Sequence, residues 1–356
     1  MARGSQELDE AAADYVCVRI TNLRDWDLHF ARFDFDLTFA AMLMHADGTV
    51  YHRYGGRGPN DASEYLSLAS LARLLRDTLG EHRAYAKAPA PPAARAPLPA
   101  IDLPVLQQKQ QQGQRIDCVH CHTVNDAEHV DAVLGKRWQR EQLWKFPDPA
   151  RIGLTLDREY QALVKAVAPD SPAAKAGIGP GDTLLSLGAQ RSVRTFSDVQ
   201  WALHAAEFGD TELPLRFRSG KEEVAAKMRL RDGWKRCAPE DYAWRPYKWN
   251  LSPSAGFGGP ALDAAAKGKL GIDATAFAFR VGYLVDWGEH AHRGRAAREA
   301  GLQKGDVVVA FAGKHDFLSM DHFHAWVALT CTAGANTEIV VLRGKERHVL
   351  RYALPN

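Results

Sequence analysis

Residues 167–182 read Val167-Ala168-Pro169-Asp170-Ser171-Pro172-Ala173-Ala174-Lys175-Ala176-Gly177-Ile178-Gly179-Pro180-Gly181-Asp182. The second half of this stretch recurs as Ala297-Arg298-Glu299-Ala300-Gly301-Leu302-Gln303-Lys304-Gly305-Asp306. Each copy is followed by an apolar strand, Thr183 to Leu187 in one and Val307 to Phe311 in the other. Each then has a Gly, a short polar loop and a Trp-containing helix, Ser197 to His204 and Asp321 to Leu329. Both close with strand, turn and strand, around Arg218-Ser219-Gly220-Lys221 and Arg343-Gly344-Lys345. A unit that recurs with its turns in register is a structural module present twice.

The segment from Val167 to Ala174, the Ala-Gly and Gly-Asp pairs and the arginine hairpin resemble the PDZ family, in the form attached to bacterial periplasmic serine proteases. The resemblance implies two partly open β-barrels with helices, at 151–231 and 276–356. It also implies a groove in which an extended peptide or a protein C-terminus adds to a sheet edge beside a helix. In the first copy Ile152, Gly153 and Leu154 fit the carboxylate-holding loop, and Leu154 to Asp157 the edge strand. Val199 and Leu203, at i and i+4, are expected to face the groove. Thr195 with Asp198 three residues on marks the helix start. In the second copy Phe277-Ala278-Phe279 stands in the loop position. No protease accompanies these modules, because Gly-x-Ser-x-Gly and a His-Asp-Ser arrangement are missing.

Upstream, residues 14–86 form a first domain. Tyr15 to Ile20 is a β-branched run and reads as a buried strand, with Cys17 as a small core hydrophobe. Leu37 to His45 is a second apolar run. Asp47-Gly48 makes a hairpin turn, and Val50 to Tyr54 returns as a strand. Leu68, Leu71, Leu74, Leu75 and Leu79 have helical spacing. This order resembles the second half of a thioredoxin fold. No Cys-x-x-Cys precedes it, and Leu37 stands where thioredoxins place a cis-proline, so the thioredoxin-like α/β domain lacks the thioredoxin site. His52 reads as a loop or surface residue.

Residues 87–114 are Pro/Ala-rich and then Gln-rich, a semi-rigid spacer. A helical segment, 115–150, opens on Cys118-Val119-His120-Cys121-His122. Two thiols one helical turn apart with an adjacent imidazole form the attachment signature of c-type haem. Cys118 and Cys121 are then thioether anchors and His122 the iron ligand. The alternatives are zinc, for which His120 or His129 is better placed than the adjacent His122 to join the thiols, and an exchanging dithiol. A helix is expected from Asn125 to Trp144, with Val130, Val133, Leu134 and Trp138 on one side.

Residues 232–275 form an aromatic-rich connector holding Trp234, Tyr242 and Trp244. The full order resembles a little-characterised group of bacterial multidomain proteins. They join a degenerate thioredoxin-like domain, a Cys-x-x-Cys-His segment and PDZ repeats. The expected fold class is multidomain α+β. The chain holds 45 Lys and Arg against 43 Asp and Glu, a net charge of +2, which gives no reason to expect nucleic acid as a partner. Five cysteines in 356 residues argue against a disulfide framework. No run reaches the ~18 apolar residues of a spanning helix. The start has no apolar core, so the periplasmic or other extracytoplasmic location that haem attachment requires rests on an export signal outside this chain. The expected function is a peptide-binding scaffold carrying haem for electron transfer or sensing.

Overall fold

A β-branched run becomes a strand only where a neighbour completes its backbone hydrogen bonds. Residues 16–20 find none among the described residues. Val16, at 93% exposure, and Val18 face solvent, and Cys17 is exposed. The expected buried strand is therefore an extended surface segment. The computed structural model describes residues 5–30, 33–58, 61–89, 95–245 and 251–356. Residues 1–237 and 238–356 form two units. The protein is mixed α+β, with small open antiparallel sheets.

The first unit begins with α1 (Gln6–Ala12), β1 (Ala41–Met44), β2 (Val50–Tyr54) and α2 (Leu68–Tyr85). The hairpin turns at Asp47-Gly48 as expected, with Gly48 at φ +89°. Ser67 caps α2 by accepting from the Ser70 N–H. Leu71, Leu74 and Leu75 of that helix pack with Leu43 and Tyr54 of the hairpin. Hairpin and helix stand without the further strand that residues 15–20 were expected to supply.

Next come α3 (Pro104–Gln111) and α4 (Cys121–Leu134). α4 ends at Leu134, ten residues before Trp144, so of the expected apolar face Val130 packs on the core while Val133 and Leu134 are exposed. The buried face is instead Val124, Asn125 and Ala127. It packs on Leu23, Leu28, Ala100, Leu103 and Leu106. The spacer therefore does not hold the pentad away from the first domain. Leu23 N–H donates to Val119 O at 2.8 Å, and Leu28 N–H to Leu98 O at 2.8 Å. Residues 90–94 of the spacer lie outside the described set.

The unit ends with β3 (Leu154–Leu156), β4 (Val164–Val167), α5 (Pro172–Lys175), β5 (Thr183–Leu187), α6 (Phe196–Ala205), β6 (Thr211–Ser219) and β7 (Glu222–Leu230). β3 pairs with β4, and β5, β6 and β7 form a three-stranded sheet. Their core gathers Ile152, Leu154, Leu184, Val199, Phe217 and Met228.

The second unit contains α7 (Pro239–Tyr242), β8 (Phe257–Gly258), α8 (Ala264–Lys269), β9 (Phe279–Arg280), β10 (Tyr283–Leu284), α9 (Ala291–Glu299), β11 (Val307–Phe311), α10 (Met320–Thr330), β12 (Asn336–Arg343) and β13 (Glu346–Ala353). Its backbone bonds repeat those of the first. Val164 exchanges bonds with Asp182 and Gly181, and Val281 does so with Asp306 and Gly305, all at 2.8 Å. Ala168 N–H donates to Gly153 O, and Val285 N–H to Gly256 O, both at 2.8 Å. The partner of Gly153 is thus Gly256, in Ala255-Gly256-Phe257. The expected loop Phe277-Ala278-Phe279 lies elsewhere, its last residue opening β9 beside β11. The repeat begins inside the stretch read as connector. No helix among the described residues is long and apolar enough to cross a membrane.

Candidate peptide groove

Asp148 caps a short 3₁₀ turn, Pro149–Ile152, by accepting from the Ala150 N–H, and Gly153 ends it at φ +87°. A side-chain carbon on Gly153 would sit 2.2 Å from the Ser171 side chain, so the turn requires glycine. Ile152 and Leu154 on either side are buried. β3 follows, with Thr155 exposed between Leu154 and Leu156. β4 covers one edge of β3, and no described strand pairs with the other.

Thr195 starts α6 by accepting from the Asp198 N–H at 2.9 Å, as its sequence position implies. Val199 and Leu203 are fully buried in the core instead of facing an accessible groove. The helical period places them on one face correctly, but that face meets β-sheet. Phe196 lies in the same core as Val199 and Leu203, and along the helix Phe196, Gln200 and His204 are covered by segments of this chain. The Tyr65 ring stacks on Phe196, with centroids 3.8 Å apart and planes 15° apart. The Phe146 ring stacks on His204 at 4.1 Å. Gln200 donates from Nε2 to Phe146 O at 3.3 Å. Neither Tyr65 nor Phe146 carries a sequence signal for this role.

A buried charge cluster fixes α6 to the hairpin. His52 Nδ1 lies 2.8 Å from Asp198 Oδ2, and His52 Nε2 lies 3.0 Å from Glu81 Oε2. Asp198 also accepts from the backbone N–H groups of Arg53 and Arg194. Burial alone would push the His52 pKa down. The hydrogen bonds to Asp198 and Glu81 overcome it and raise the pKa to about 9. Burial opposes ionisation of Glu81 too, but His52 and Arg194 hold its carboxyl down to about 2. His52 is thus an imidazolium donating from both nitrogens, not the surface residue its strand position suggests. At the other end of α6, Lys235 Nζ donates to His204 O at 2.9 Å and to Ala206 O. These are carbonyls that a helix terminus leaves without partners.

The pentad opens α4. Cys118 is exposed, Val119 is buried, and Cys121 is half-buried as the first helical residue. The rings of His120 and His122 stack at 5.7 Å. Burial pushes the Cys121 thiol up, and Asp36 adds to it, which is the wrong direction for an exchanging thiolate. His122 and His129 are seven residues apart on α4, about 10 Å along its axis. One ion does not bridge that gap. Among the described residues no three His, Cys, Asp or Glu side chains gather into a metal site. The order of thiols and imidazole fits covalent haem, but the surroundings do not fit its macrocycle. Val119, Val124 and Ala127 are spent in the packed core. The adjoining cavity, about 500 Å³, is lined by polar groups that include Arg24, Asp25, Gln110, Gln114, Arg115 and Asp117.

Residues 163–213 match the PDZ domain family. Over 62 residues the chain is 47% identical to a protein of Mesorhizobium japonicum named as a candidate zinc metalloprotease. That match covers 17% of this chain and 16% of that protein. The chain holds no His-Glu-x-x-His, the zinc-protease signature.

Proposed function

We propose that the chain is a non-catalytic scaffold whose PDZ domain holds extended peptide segments or C-termini of partner proteins. The observation that carries this reading is the unpaired edge of β3 beside Gly153 and α6. A strand with an open edge offers a row of N–H and C=O groups to an incoming peptide, and the glycine loop turns backbone N–H groups toward its end. Affinity selection of C-terminal and internal peptide libraries on the full chain, followed by amide shift mapping, tests it. Binding that moves Ile152 to Leu156 and α6 supports the reading. Absence of any selected peptide, or shifts confined to other elements, overturns it.

The loop Ala255-Gly256-Phe257 extends the proposal to the second unit as another PDZ-type module. Beside Phe257 lies a cavity of about 370 Å³ whose lining includes Tyr283, Trp287, Arg293 and His324. Peptides selected on the full chain and lost on filling this cavity, for example by Val285→Trp, support that extension.

A further inference from the structure

We propose that the side-chain pockets of the PDZ groove are filled from within by Tyr65 and Phe146, so that incoming peptide competes with this internal docking and is selected for aromatic side chains. This rests on the peptide-binding reading above.

Other segments of the same chain cover α6 from its first turn to its last. At the N-terminal end Tyr65 is 6% exposed and belongs to the same core as Ile152, Leu154, Leu156 and Phe196. Gln161, on the β3–β4 connection, donates from Nε2 to Tyr65 O at 2.9 Å and accepts from the Phe196 N–H at 3.2 Å. One amide thereby joins the inserted residue to the first turn of the helix. A side-chain carbon at Gly56 would lie 2.1 Å from the Phe196 ring, so backbone closes the flank. Midway, the Arg53 guanidinium lies over the Trp201 ring at 4.2 Å. At the C-terminal end Phe146 stacks on His204, with a backbone φ of +47° that only a few per cent of non-glycine residues adopt. The space left between Phe146, Tyr54 and Gln200 is about 10 Å³, too small for a side chain.

The β3 edge is open while the side-chain pockets are filled. A peptide paired with that edge can seat side chains in the pockets only by displacing the rings. The rings that fit define the ligand class, a peptide carrying aromatic residues. The charge cluster of His52, Glu81 and Asp198 keeps the hairpin in place, so displacement concerns Phe146 and the 61–67 loop, and the loop is the part followed here.

The probe is a labelled peptide with the sequence of residues 61–67, Asp-Ala-Ser-Glu-Tyr-Leu-Ser, titrated by fluorescence anisotropy against the full chain. Tyr65→Ala should bind it at least about tenfold more tightly than wild type, because the competent fraction rises. Tyr65→Phe keeps the ring and should match wild type. The probe with Ala in place of Tyr should not bind. A second measurement needs no variant: saturating peptide should speed hydrogen exchange at amides 61–67 of the wild-type chain. Equal affinity of wild type and Tyr65→Ala, unchanged exchange at 61–67, or indifference to the probe's Tyr overturns internal competition and leaves the peptide-binding reading standing. No binding to either chain by the probe or by any library peptide overturns both.

Discussion

His52 and Asp198 are 146 residues apart in the chain, and their side chains meet at 2.8 Å with no exposed surface on either. One belongs to the N-terminal hairpin and the other caps the PDZ helix. The contact makes hairpin and PDZ domain one structural object, because neither charge can be withdrawn without leaving the other buried.

Replacing His52 by Leu strands that carboxylate. Removing one partner of a buried ion pair costs about 3–5 kcal/mol. Chemical denaturation of His52→Leu should show a loss of that size, and a loss under about 1 kcal/mol would mean the cluster carries no stability.

The same contact sets a pH dependence. His52 has a folded pKa of about 9 against an unfolded 6.5. Its contribution is therefore complete below pH 6.5 and is lost as pH rises through 9, roughly 3 kcal/mol in all. Glu81 works at the other end, complete above pH 4.5 and lost as pH falls toward 2. Burial holds Lys235 down to about 8, which adds stability as pH rises above that value. The difference in unfolding free energy between wild type and His52→Leu cancels this term. It should be flat from pH 4.5 to 6.5 and shrink from 6.5 to 9, and a difference that grows above pH 6.5 contradicts the assignment.

Glycine is required unequally in the second unit. At Gly256, φ +78°, an added carbon would meet Arg293 O at 2.3 Å, whereas at Gly301, φ +96°, the nearest atom is on Leu350 at 3.7 Å. Gly301→Ala should cost only the positive-φ penalty, about 1–2 kcal/mol. Gly256→Ala must also move a backbone carbonyl and should lower the melting temperature further. Equal melting temperatures would refute the loop assignment.

The pentad thiols should react in order. Cys118 is exposed, while Cys121 is half-buried with its thiol pushed up. Mass spectrometry after brief iodoacetamide treatment should find Cys118 modified first. After expression beside a haem-attachment system both thiols should remain alkylatable. A Soret band that survives acid–acetone extraction would show that the pentad finds a macrocycle cover the packing here does not provide.

Local chemistry was legible residue by residue. Asp47-Gly48 and the Thr195–Asp198 cap act within four residues, and each forms as its sequence implies. The repeat placed the shared strands and helices. Reading failed where the answer lay in what covers a surface. Val16 and Val18 have strand character but no neighbour. Val199 and Leu203 were placed on one face, with no indication that this face meets sheet. In the second copy the loop lay in a glycine-rich stretch far upstream of the strand it joins, and only the Val285–Gly256 bond identified it.

The sequence by itself determined the repeated module and its caps and turns, because these depend on neighbours along the chain. The tertiary structure decided the surroundings of His52 and the cover that Tyr65 and Phe146 place over α6. Desolvation and long-range pairing depend on residues a hundred or more positions away, and helical or strand periodicity names a face without naming what lies against it.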